Sequence, residues 1–113
     1  MLTIKTWCLP QSSEEKLNDL HNAIVEAVVS ISETAVKNES EMLNLFPSDL
    51  MSYGLGTEIV IEITKVPALC NQKTRNKLAK VVALAVKEIF PKATVECEAI
   101  PINHNAGFYS IQK

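Results

Sequence analysis

Arginine is nearly absent from this chain: Arg75 is the only one among eleven basic residues in 113. A bidentate clamp on a carboxylate or phosphate within one subunit therefore has a single candidate. The basic residues are spread thinly and the formal net charge is −2, which excludes the basic footprint expected of a nucleic-acid-binding protein. Glycine and proline are also scarce, at three and five, while 47% of residues are apolar and 21% charged, the composition of an ordinary globular protein. Cys8, Cys70 and Cys97 cannot all pair within one chain. Their spacing matches no metal motif, and with His21 and His104 they make no cluster of zinc type. They read as reduced thiols, two of them core filler, and no metal or cofactor is expected. No stretch approaches the roughly 20 apolar residues of a membrane span, and no basic region followed by an apolar run opens the chain. The expectation is one cytoplasmic domain over 1–113, with neither nucleic acid nor membrane as partner.

What is present is periodicity. Leu2, Ile4, Thr6 and Cys8 alternate with Thr3, Lys5 and Trp7, which predicts a strand running to Pro10. Ser12-Ser13-Glu14-Glu15 reads as a capping box with Ser12 as the cap. Leu17, Leu20, Ile24, Val28 and Ile31 then follow at helical spacing, for a helix over Ser13–Ser32. Glu41–Phe46 predicts a short strand closed by Pro47, and Ser48 to Gly56 an apolar loop. Ile59, Ile61 and Ile63 alternate with Glu58, Val60, Glu62 and Thr64 in the clearest strand, Thr57–Val66. Asn71 caps a second helix whose stripe is Leu78, Val81, Val82, Ala85 and Ile89, and Pro91 stops it. Thr94–Pro101 predicts the last main strand, and residues 105–110 an edge strand.

The order is β-α-β, loop, β-α-β. Each helix is long enough to return the chain to a parallel strand. An α/β (α+β) fold follows: two β-α-β units, about 2–46 and 57–101, forming a four-stranded sheet with both helices on one face, and a short tail over 102–113. The isoleucine face packs under the helices. The other face is expected to carry Lys5, Trp7, Asn44, Val60, Glu62, Glu96 and Glu98, either solvated with cross-strand ion pairs or partly covered in an oligomer.

Three segments carry a family likeness. Ser13-Glu14-Glu15-Lys16 after a first strand resembles the start of helix one in the 4-oxalocrotonate tautomerases. Asp49-Leu50-Met51-Ser52-Tyr53-Gly54 resembles the Gln-Leu-Met-Ala-Phe-Gly loop of macrophage migration inhibitory factor, and Asn105-Ala106-Gly107-Phe108 resembles its C-terminal Asn-Val-Gly-Trp. With the element order, these make the chain resemble the tautomerase superfamily, which also includes 5-carboxymethyl-2-hydroxymuconate isomerase, over essentially its whole length. The resemblance implies a homotrimer with pockets between subunits and a small carboxylate as ligand. It also implies an N-terminal proline, freed by removal of the initiator Met, as general acid or base. An apolar pocket disfavours the charged form of such a secondary amine, so it can move a proton between carbon and oxygen of an enol–keto pair.

This chain has no such proline. Aligning on the Ser-x-Glu segment puts Leu2 at the proline position, and aligning on Pro10 puts Met1 there. Leu2 is bulky, so Met1 is expected to stay and to offer a primary amine. The catalytic position is thus Met1 or Leu2, with Glu62 or Tyr109 as relocated proton carriers. Carboxylate-binding positions implied by the likeness are Lys37, Arg75 and Phe108; Arg75 also reads as part of a solvated helix face with Lys73 and Lys77. Cys97 reads as core, His104 as a solvated loop residue, and Tyr53 as a subunit contact. Three functions follow: a keto–enol tautomerase or isomerase with weak or altered activity, a non-catalytic trimeric scaffold binding a small ligand or a protein, and a ferredoxin-like regulatory module, whose middle strands would be joined by a hairpin.

Overall fold

A computed structural model describes residues 1–47 and 58–113. The loop likeness at Asp49–Gly54 and the reading of Tyr53 lie outside the described residues. The chain forms β1 (Leu2–Trp7), α1 (Glu14–Val29), β2 (Met42–Leu45), β3 (Glu58–Val66), α2 (Gln72–Ile89) and β4 (Thr94–Pro101), with 3₁₀ turns at Ser32–Thr34 and Glu39–Glu41. The sheet runs β2-β1-β3-β4. β1 is parallel to β2, β3 is parallel to β4, and the two halves meet in the antiparallel pair β1–β3. β2 and β3 are not neighbours, so no hairpin joins them, and the ferredoxin-like arrangement is excluded.

The cap of α1 is Ser13, not Ser12. Its backbone is extended, as a cap requires, and its hydroxyl accepts from the Lys16 amide at 3.1 Å, whereas Ser12 donates to the Pro10 carbonyl at 2.8 Å. α1 also ends earlier than its apolar stripe, because the Ile31 amide bonds Val28 and tightens the last turn into 3₁₀ geometry. Asn71 caps α2 through the Thr74 amide at 2.9 Å, and Phe90, just before Pro91, ends it.

Leu20, Ile24 and Val28 of α1 and Leu78, Val82 and Val86 of α2 pack with Leu2, Ile4, Ile59, Ile61 and Ile63 in one core. Both helices thus cover the isoleucine face. Val86 completes an i, i+4 row on α2, in place of the Ala85 of the expected stripe.

Asn44 stands on the opposite face from that expected. β2 pairs in register Leu2–Met42 and Ile4–Asn44, which puts Asn44 on the helix side. There its amide donates to Nδ1 of His21 on α1 at 3.0 Å. Leu43 and Leu45 emerge instead on the open face, 44% and 37% exposed. Residues 102–113 form no strand, so the expected edge strand is absent. Among the described residues, no helix is long and apolar enough to cross a membrane.

Candidate functional site

The chain starts where β3 and β4 end, and a cavity of about 560 Å³ opens there, within the range of small-molecule sites. Its walls come from Met1, from Thr64 and Lys65 at the end of β3, from Ile100 and Pro101 on β4, and from the following turn through Phe108. The turn folds back because the Ile102 amide donates to the Val66 carbonyl at 3.0 Å, and Asn103 accepts the amides of Asn105 and Ala106 at 2.9 and 3.1 Å.

An irregularity in β3 shapes the floor. The strand alternates through Ile63, and then the register with β4 shifts between Ile63 and Val66. Lys65 takes a left-handed conformation with φ 59°. The extra residue lets Val66 turn into the core, fully buried, and throws Lys65 outward. A residue with a Cβ costs about 1–2 kcal/mol in this conformation. The Lys65 ammonium stands 4.8 Å from the centre of the Phe108 ring, within cation–π range.

Met1 and Phe108, expected to belong to the site, both line this cavity. Leu2 does not: only 4% exposed, it belongs to the core. Lys37 is exposed beyond the first 3₁₀ turn and lines no part of the cavity, nor does Arg75. The half-buried Arg75 guanidinium donates to the Cys70 carbonyl at 2.8 Å and to Gln72 at 3.1 Å, so it braces the start of α2. His104, expected to be a solvated loop residue, is exposed but contributes to the cavity wall. Lys65 was not expected. Its signal lay in the pattern: strict alternation from Ile59 to Ile63 would aim Lys65 into the core and Val66 outward, and an inserted residue resolves that conflict.

The other candidate groups lie elsewhere. Glu62, on the open face opposite Lys5, accepts the Trp7 indole N–H at 2.6 Å. Tyr109 is 84% exposed. His21 accepts from Asn44 at Nδ1, so its Nε2–H donates to Glu39 at 2.7 Å. Among the described residues no three His, Cys, Asp or Glu side chains stand together to hold a metal.

Cys97 pairs with Ile61 on the helix side of the sheet. Burial, with the Glu98 charge adding to it, pushes its thiol up to about 12 from an ordinary 9.0. The folded state therefore keeps this proton after the unfolded state has lost it. Its contribution to stability is complete below pH 9 and fades as pH rises toward 12. In that window wild type should lose up to about 1.4 kcal/mol per pH unit more than Cys97→Ala, as read by urea unfolding across pH. Equal slopes would place the thiol in water.

No protein-family model matches the chain, and no curated protein matches it. Solved structures do. One is the F6 fused 4-OT wild-type asymmetric trimer, with a TM-score of 0.66 at 17% identity, covering 94% of this chain and 91% of that one. Another is the macrophage migration inhibitory factor-like protein of Entamoeba histolytica, with a TM-score of 0.61 at 11% identity over 96% and 93% of the two chains. A third is the FG41 malonate semialdehyde decarboxylase inhibited by 3-bromopropiolate, with a TM-score of 0.57 at 14% identity over 97% and 89%.

Proposed function

We propose, from the tautomerase-superfamily fold that this chain shares with those structures, that it is a weak keto–enol tautomerase of a small enolisable carboxylic acid, working at the cavity beside Met1. The observation that carries the reading is the placement of Met1 and Phe108 on the walls of one mostly apolar cavity. In this reading the Met1 amine takes a proton from the carbon next to the carbonyl and returns it to the enolate oxygen. Phe108 holds the apolar body of the substrate. The setting is the cytoplasm, where the free thiols Cys8, Cys70 and Cys97 stay reduced.

The test is ketonisation of phenylpyruvate enol. The expected result is a rate above buffer that falls at least severalfold in Phe108→Ala. No rate above buffer favours the second reading, a scaffold that binds a small ligand or a protein without chemistry. That alternative draws support from the primary amine at a position where the family's active members have a secondary one.

The assembly proposed is a homotrimer that packs the open sheet faces together. Its support is the apolar content of that face, with Leu43 and Leu45 substantially exposed beside half-buried Val60 and Trp7, and the trimeric state of the fused 4-OT proteins. Light scattering should give three times the chain mass, and the double variant Leu43→Glu, Leu45→Glu should shift the protein toward monomer. A monomeric wild type would overturn this assembly.

A further inference from the structure

Lys65 is the one Lys or Arg among the described residues lining the cavity. We propose that Lys65 is the specificity-determining residue of this site: it anchors the acidic end of the ligand and selects small monoanions with a flat apolar body over neutral molecules of the same shape. The inference rests on the reading of the cavity as the ligand site, and it assigns the anionic contact that Lys37 and Arg75 do not supply from within the same chain.

Three observations converge on this residue. The first is placement: the bulge that sends Val66 into the core turns Lys65 toward the cavity. The second is conformation. At φ 59° glycine carries no steric penalty and lysine does. A strained residue at a cavity wall points to a role for its side chain rather than for its backbone. The third is the neighbourhood. The ammonium stands over the Phe108 ring, and Ile100, Pro101, Ile102 and Met1 line the same cavity, so a charge-assisted contact there has apolar walls beside it.

The contact with Phe108 gives the selection its shape. In the free protein the ammonium rests on the ring face. An incoming carboxylate takes the ammonium, and the flat body of the ligand then lies against the ring. One ammonium suits one carboxylate, and among the described residues no second Lys or Arg lines the cavity.

The test is titration of the protein with phenylacetate and with its neutral counterpart phenylacetamide, followed by amide chemical shifts. Wild type should prefer phenylacetate about tenfold, with shifts at Thr64, Ile100 and Phe108. In Lys65→Gly the preference should fall to within about twofold while the melting temperature holds or rises, because glycine relieves the backbone. Lys65→Arg should keep the preference. An unchanged preference in Lys65→Gly overturns the assignment, as does binding of neither compound to wild type, or shifts confined to another surface. Phenylpyruvate ketonisation separates the two readings. Unchanged kcat and KM in Lys65→Gly would overturn the role of Lys65 and leave proton transfer standing. A Lys65-dependent anion preference with no ketonisation would uphold Lys65 and overturn the tautomerase reading.

Discussion

Ketonisation of phenylpyruvate is expected to rise by about 10²–10⁴-fold when proline replaces Met1, made as Met1→Pro behind an initiator methionine that is removed during synthesis. The gain is that of a general acid–base group brought into working order. A flexible methionine presents a primary amine with many orientations, whereas proline fixes the nitrogen in a ring and lessens the ordering needed before reaction. The cavity around that position is lined by Ile100, Pro101, Ile102 and Phe108, apolar walls that can hold the body of a small substrate beside the nitrogen. The same substitution at the next residue makes the control. Leu2 is only 4% exposed and sits in the core beneath the helices, so Leu2→Pro should lower stability without the large rate gain. If Leu2→Pro gave the gain and Met1→Pro did not, the catalytic position would be Leu2.

The largest loss of stability is expected at the middle of the sheet. Ile61 is fully buried on β3, paired with Thr6 on one side and Cys97 on the other. Removing its branched side chain leaves a void between sheet and helices, and Ile61→Ala should cost about 2–5 kcal/mol in urea unfolding. Leu84→Ala is the comparison: Leu84 is on α2 but 57% exposed, and its loss should change stability by no more than about 0.5 kcal/mol. Similar losses in the two variants would contradict the placement of the core.

These expectations draw on features that were unequally legible in the sequence. The strands and helices were readable because their apolar periods are clean, as in Ile59-Ile61-Ile63 and Leu20-Ile24-Val28. Element order alone led to two β-α-β halves, and the family likeness pointed to the fold that the solved structures share. β2 was ambiguous because Met42 and Asn44 alternate with Leu43 and Leu45. Either face is apolar enough to go inward, and the choice is made by pairing with β1 and by His21, which only tertiary structure supplies. Of the residues lining the candidate cavity, Met1 and Phe108 were the ones that the likeness had matched by position, though they are far apart in sequence. Lys65 was hidden because strict alternation along the strand would put it on the core side, away from any ligand. Only the register shift, a property of two strands together, reveals that it is not there.

The position of β1 has a consequence for how the chain comes to fold during synthesis. The first strand made is an inner strand of the sheet, held between β2 and β3. Its antiparallel partner comes much later, as in Thr64 bonding to Thr3 across a separation of 61 residues. Until β3 leaves the ribosome, one side of β1 has its backbone groups unmatched, and α2, which contributes to the same core, is not yet made. The nascent first half is therefore an unfinished sheet open to wrong partners. Completion of the sheet must await the second half, which brings β3 to the open side of β1.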